Sequence, residues 1–147
     1  MRSHRVFAHP QTNRFIESEF AVPRDRLRPA LEALRTAIDA SGMRISFPVE
    51  VRFAPADEVW LSTAYRRDSA YIAVHRYWRD DADPLLRMTD GVLRTFDGRP
   101  HRGKVHHLDA AELRERYPRF DDFLGLRDDL DPSRMFTNDH LAKILGP

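Results

Sequence analysis

The chain contains no cysteine. That excludes disulfides, thiolate metal sites and cysteine nucleophiles, and fits a cytoplasmic protein without requiring one. No apolar run approaches the roughly 20 residues needed to cross a bilayer, and the basic start Met1-Arg2-Ser3-His4-Arg5 has no apolar segment behind it, so it is not a signal peptide. An excess of one charge is also missing. Lys plus Arg number 24 against 23 Asp plus Glu, for a formal net charge of +1, and no block of like charge stands out. A nucleic-acid partner or a polybasic membrane anchor therefore has little support. Internal repeats and low-complexity tracts are absent as well.

What is present describes one soluble domain. At 147 residues, 41% apolar and 32% charged, the chain is long enough to bury a single core. Residues 1–13 read as an extended lead-in segment. Phe15 to Val22 alternates, with Phe15, Glu17 and Glu19 set against Ile16, Ser18, Phe20 and Val22, and predicts a first strand stopped by Pro23. Asp25 to Ala40 predicts a helix: Leu27, Leu31, Leu34 and Ile38 form one apolar stripe, Pro29 falls in the first turn, and Gly42 is a natural stop.

Residues 46–53 predict the strand on which the functional reading turns. Val49, Val51 and Phe53 point one way; Pro48, Glu50 and Arg52 point the other. Taken alone, Glu50 and Arg52 are either a surface ion pair or a polar pair presented by a rigid strand. Residues 54–68 predict a long loop with Trp60 and Leu61 tucked onto the body. Ser69 to Trp78 predicts a third strand, with Ile72 and Val74 on one face and Tyr71, Ala73, His75 and Tyr77 on the other.

Asp83-Pro84 predicts a helix start, with Asp83 as the cap. Leu85, Thr89, Val92 and Phe96 form its buried stripe and Gly98 its end. Arg99 to His106 predicts a short fourth strand interrupted by Pro100 and Gly103. The resulting order, β-α-β-β-α-β, is that of a ferredoxin-like α+β unit: a four-stranded antiparallel sheet with both helices on one face. On that arithmetic the helices cover Val49, Val51, Phe53, Ile72 and Val74. The open face then carries Glu50, Arg52, His75, Tyr77, Arg102 and Lys104. Beyond it, residues 108–147 predict a helical extension of the unit formed by 1–107: a helix opened by Asp109, a second short helix or turn around Phe120 to Leu126, and a last helix from Asn138 to Leu145.

Three stretches resemble the C-terminal part of the aldonolactone oxidases, flavin-dependent sugar-lactone and alditol oxidases of the vanillyl-alcohol oxidase superfamily. They are Phe47-Pro48-Val49-Glu50-Val51-Arg52-Phe53, then Ala70-Tyr71-Ile72-Ala73-Val74-His75 with an aromatic at Trp78, and Gly98-Arg99-Pro100-His101-Arg102-Gly103-Lys104-Val105-His106. Leu130-Asp131-Pro132, followed by Phe136 and Asn138, resembles the closing motif of the same family. Order and spacing agree from about residue 4 to the C-terminus. One departure stands inside the third motif: the family's tryptophan before the Gly-Lys pair is Arg102 here.

The resemblance implies a D-arabinono-1,4-lactone oxidase-like CH–OH oxidoreductase with FAD as cofactor and a sugar lactone or polyol as substrate. It implies catalytic roles for Glu50, Arg52, His75 and Lys104, substrate contacts from Tyr77, His101 and Arg102, and flavin contacts from Lys104 and Asn138. Oxidising an alcohol by hydride transfer requires a proton acceptor for the hydroxyl and positive charge near the developing oxyanion, and these residue types supply both. Nothing in residues 1–45 resembles the family's flavin-binding domain. The expectation is a substrate half that is inactive alone, works with a flavin domain supplied separately, or self-associates through the surface where that domain docks. Peripheral membrane association also occurs in the family. The alternative, from another class, is a non-catalytic ferredoxin-like module that binds a small acid or a protein on its charged face.

A metal site is not expected. His101, His106 and His107 cluster, with His4, His9, His75 and His140 elsewhere, but no pair has the i, i+4 helical spacing of the zinc proteases. The aromatics Trp60, Trp78, Phe120 and Phe123 are expected to be packing, or surface awaiting a partner, rather than a nucleobase platform.

Overall fold

Period-two and helical patterning become a four-stranded antiparallel sheet with helices in a computed structural model that describes residues 12–146. Most of the expected lead-in segment, with His4 and His9, lies outside the described residues. The sheet order is β2-β3-β1-β4. Its strands are β1 (Phe15–Pro23), β2 (Glu50–Ala54), β3 (Ser69–Tyr77) and the two-residue β4 (Arg99–Pro100). Between them run α1 (Leu27–Ser41), entered by a short 3-10 turn at Arg24–Arg26, and α2 (Asp83–Arg94). Three helices follow: α3 (Ala110–Arg116), α4 (Phe120–Leu130) and α5 (Asp139–Leu145).

The register sorts each strand into two faces. Glu17 pairs with His75, Glu19 with Ala73, and Ala73 in turn with Glu50, while Phe20 pairs with Ile72 and Ser18 with Val74. Phe20, Val22, Ile72 and Val74 are therefore one face, and they share a buried cluster with Ala30 and Leu34 of α1 and Leu86 and Leu93 of α2. Burying side chains of this size contributes about 1.5–3 kcal/mol each. The same cluster takes in Leu113, Tyr117, Phe120, Ile144 and Leu145 from the last three helices. The opposite face, with Glu17, Glu19, Glu50, Arg52 and His75, is free of α1 and α2.

Local signals account for the helix boundaries. Gly42 adopts φ +67 and closes α1, the left-handed stop for which a side chain is costly. Asp109 caps α3 in a reciprocal capping box with Glu112. After α2, Asp97 takes φ 54, and the Gly98 amide donates to the Leu93 carbonyl at 3.0 Å. A Cβ on Gly98 would lie 2.4 Å from that oxygen, so only glycine fits the approach.

Five expectations need correction. The strand expected over 46–53 runs only from Glu50 to Ala54. Asp83 is the first residue of α2 rather than its cap, which is Ala82. The helix ends at Arg94, before Phe96. Phe53 is not covered by helices: it is 57% exposed, because β2 is an edge strand and α1 packs over the sheet's centre. In place of a helix, the Arg24 guanidinium lies 5.3 Å from the Phe53 ring centre. The fourth strand is only two residues long. Pro100 has no N–H to extend the ladder, and the chain turns at Lys104, whose amide donates to the His101 carbonyl at 3.0 Å. It still follows β1 at two points, His101 N–H to Glu19 O at 2.8 Å and Val105 N–H to Glu17 O at 3.0 Å. No helix among the described residues is long and apolar enough to cross a membrane.

Candidate functional site

Alternation on three strands aims charged side chains at one another across the helix-free face. Arg52 of β2 reaches the Oε2 atom of Glu19 on β1 and sits 3.3 Å from Oε1 of Glu50 on its own strand. Lys104, brought over β1 by the turn after β4, pairs with Oε2 of Glu19 at 3.0 Å and with Glu17. Nε2 of His75 on β3 stands 3.3 Å from Oε1 of Glu17. The result is one unbroken run in which charge alternates from Glu50 through Arg52, Glu19 and Lys104 to Glu17, with the His75 imidazole at its end.

Glu19 is the centre of this run and is 2% exposed. Burial alone would raise its pKa, but hydrogen bonds and charge from Lys104 and Arg52 outweigh that and hold it below the ordinary value. Arg52 responds in the opposite sense: its hydrogen bond to Glu19 raises its pKa further. His75 is 8% exposed and held edge-on by Phe15, with ring centres 4.8 Å apart. The Phe47 ring lies 6.1 Å away.

Beside Glu19 and Arg52 opens a cavity of about 500 Å³, whose walls include Thr63, Tyr71, His101 and Arg102. Tyr71 and Thr63 share a hydroxyl hydrogen bond of 2.7 Å. The loop carrying Thr63 is held from beneath by Arg99, which is 7% exposed and donates to the carbonyls of Tyr65 at 2.9 Å, Thr63 at 3.3 Å and Arg116 at 2.8 Å. Burial lowers the Arg99 pKa, against smaller opposing influences from Tyr117, Asp57 and Asp97. Arg99 thus works as a strut between the loop and α3. The cavity offers carboxylate, guanidinium and hydroxyl groups from β1, β2, β3 and the loops beside them, a lining suited to a polyhydroxylated ligand of sugar size.

Of the residues expected from sequence, Glu50, Arg52, His75 and Lys104 are joined in one run, while His101 and Arg102 line the adjoining cavity. Tyr77 is not drawn in: it lies at the far end of β3, 38% exposed, with its ring centre 6.3 Å from that of Trp78. Asn138 caps α5, its Oδ1 accepting from Leu141 N–H at 2.9 Å.

Sequence reading missed Glu17, Glu19, Tyr71 and Thr63. The signal for the two carboxylates was available in the alternation of β1, where Glu17 and Glu19 share parity opposite Phe20. Nothing in the loop around Thr63 announced its role.

Two further histidines sit near the site without joining it. His106 is 5% exposed and both its ring nitrogens lack a partner among the described residues. Burial, then the nearby Lys143 and His140, lower its pKa to about 4. His107 is clamped between Asp90 at 2.7 Å and Asp83 at 2.9 Å and ties the chain after β4 to α2.

Residues 1–144 match the sequence profile of a family described as D-arabinono-1,4-lactone oxidase. Among curated proteins, the chain is 44% identical over 146 residues to L-gulono-1,4-lactone dehydrogenase of Mycobacterium tuberculosis, covering 99% of this chain and 34% of that protein. It is 38% identical over 139 residues to alditol oxidase of a Streptomyces species, covering 92% and 33%. To L-gulonolactone oxidase of Mus musculus it is 32% identical over 147 residues, covering 97% and 33%. The chain spans about a third of the length of the curated relatives it matches.

Proposed function

Because the chain belongs to the D-arabinono-1,4-lactone oxidase family, we propose that it is the substrate-binding part of an FAD-dependent oxidoreductase. The reaction oxidises a CH–OH group of a sugar lactone or an alditol. The observation that carries this reading is the convergence of Arg52 and Lys104 on Glu19 within the run from Glu50 to His75, with Arg52 and Glu19 lining the 500 Å³ cavity. Isolated surface ion pairs would not converge on one buried carboxylate.

In this reading Glu50 and Arg52 fix substrate hydroxyls, since paired carboxylate and guanidinium offer acceptors and donors at once. Lys104 places positive charge where the alcohol oxygen gains electron density. His75, oriented by Glu17, accepts the hydroxyl proton. His101 and Arg102 close the cavity on the β4 side, and the exposed Tyr77 has the weakest claim of the expected contacts. A bound FAD would supply the two-electron acceptor. The cationic group of Lys104 suits the edge of its ring system. The rest of the cofactor belongs to a flavin domain on this or another polypeptide, which is the partner we assign, in the cytoplasm. The alternative of a non-catalytic binding module is not favoured, because the family match spans nearly the whole chain.

The test is a chimera in which this chain replaces the matching third of the mycobacterial relative. Anaerobic addition of an aldonolactone or alditol should bleach the bound flavin, and Lys104→Ala should abolish bleaching while FAD stays bound. Bleaching by no lactone or alditol, or unchanged bleaching in Lys104→Ala, defeats the proposal.

A further inference from the structure

Two guanidinium groups line the 500 Å³ cavity, Arg52 and Arg102, and among the described residues only the first is committed to carboxylates. Arg52 is paired with Glu19 and Glu50, and Lys104 with Glu19 and Glu17. The Arg102 side chain makes no ion pair and no hydrogen bond among the described residues, and its Nη1 is buried without a partner. Its guanidinium carbon instead lies 5.4 Å from the ring centre of Tyr117, a buried ring fixed by its hydroxyl bond to the Pro100 carbonyl at 2.7 Å. A cation–π contact of this kind attracts the guanidinium but supplies no counter-charge. Burial lowers the Arg102 pKa, and the only opposing influence is Tyr117; no carboxylate offsets it. Arg102 also stands where three cavities meet, of about 500, 630 and 660 Å³.

A half-buried guanidinium without a counter-charge is costly. It is the group that binds planar anionic oxygens best, through two parallel N–H donors. The hydroxyls of Ser62, Thr63 and Tyr71 line the same 500 Å³ cavity and suit the remainder of a polyhydroxylated molecule. A neutral lactone or polyol would leave the charge unanswered.

Resting on the proposed function and narrowing it, we infer that Arg102 is a recognition residue that selects substrates bearing an anionic oxygen group. The substrate class is then a lactone or alditol that also carries a carboxylate or phosphate group, whose anion pairs with Arg102 while its hydroxyls meet Thr63, Tyr71 and the Arg52–Glu19 pair. Carboxylate and phosphate share the chemistry that the guanidinium reads, and the experiment separates them.

The experiment titrates the uniformly ¹⁵N-labelled chain with glucuronate, glucose 6-phosphate, glucose and glucitol, following the Arg102 Nε–H and Gly103 amide resonances. At least one anionic sugar should bind tenfold or more tightly than the neutral pair, and the tighter of the two names the anion. Arg102→Gln should erase that preference; Arg102→Lys should retain part of it, with folding of both checked by dispersion of the amide spectrum. Equal binding of charged and neutral sugars, no binding of any, or a preference that survives Arg102→Gln overturns the inference. The two readings fail separately. Flavin bleaching in the chimera by neutral lactones, with KM unaltered in Arg102→Gln, removes anion selection and leaves the oxidoreductase. Anion selection without any bleaching removes the oxidoreductase and leaves the binding site.

Discussion

Arg52 and Lys104 meet on a single atom, Oε2 of Glu19, although they arrive from opposite sides of the sheet. Arg52 comes from edge strand β2 and Lys104 from the turn following β4, with β3 and β1 between them in the order β2-β3-β1-β4. One buried carboxylate thereby locks both edges of the helix-free face into a fixed geometry. Two cations that would otherwise repel are held within reach of the same ligand.

Removing that carboxylate should cost both stability and function. Glu19→Ala leaves Lys104, whose side chain is only 18% exposed, with Glu17 alone. We expect a loss of about 3 kcal/mol, the lower end for a broken buried pair, because half of Arg52 remains in water. Glu19→Gln keeps an acceptor of the same shape and should lose about 1 kcal/mol. Urea denaturation reads both, and equal stability of Glu19→Ala and the parent chain would contradict the arrangement.

Acid sensitivity should be dominated by His106. Its pKa falls from 6.5 to about 4 in the folded chain, so between those values the folded state binds fewer protons than the unfolded one. Stability from this group is complete above about pH 6.5 and is lost as pH falls toward 4. The shift corresponds to about 3 kcal/mol. Glu19, with its lowered pKa, adds a loss in the same direction below its unfolded value. Asp90 has the opposite sign: burial raises its pKa, so stability falls as pH rises from its unfolded value through its folded one. Unfolding measured from pH 7 to 4 should show the slope, and His106→Phe should flatten it; an identical slope in the variant would reassign the effect.

Helix stripes and strand alternation were legible because each is a local pattern. Leu27 to Ile38, Ile72 with Val74, and the parity of Glu50, Arg52 and His75 needed no tertiary knowledge. The extent of β4 was not legible, since one proline and one turn decided it against an otherwise extended stretch. Phe53 misled for a related reason: alternation assigns a face but cannot say that an edge strand lies beyond the helices' reach. Glu17 and Glu19 were legible but unused. Alternation placed them on the right face, whereas their partners lie on other strands and in the turn after β4. Arg102 was legible as a cation where the resembling family has tryptophan; its lack of a counter-charge was not.

Gly98→Ala should be among the most damaging single-methyl additions in the chain. The new Cβ would stand 2.4 Å from the Leu93 carbonyl oxygen and 3.1 Å from the buried Phe20 ring. Backbone cannot yield there without displacing the end of α2 from the core. A loss of about 2–4 kcal/mol is expected in urea unfolding, and a neutral result would show that the turn after α2 is looser than this contact requires.

Flavin affinity offers the last prediction. Cofactors carrying a pyrophosphate are commonly held at a helix N-terminus reached through a glycine-rich turn. Among the described residues α1 to α5 begin after Arg26, Ala82, Asp109, Arg119 and Asn138, and none is preceded by such a turn. Only the ring end of FAD would find a complementary group, at Lys104. Association would then cost its full loss of translational freedom against a fraction of the contacts. The 147-residue chain should therefore bind FAD weakly, with no stoichiometric yellow complex at micromolar concentrations and no lactone turnover. Asn138→Ala should lower stability by about 1 kcal/mol through loss of the α5 cap. In the chimera described above it should also weaken FAD retention. Visible absorbance after gel filtration, paired with urea unfolding, measures both quantities at once. A tight complex formed by the chain alone would mean that these residues hold far more of the flavin than its ring edge.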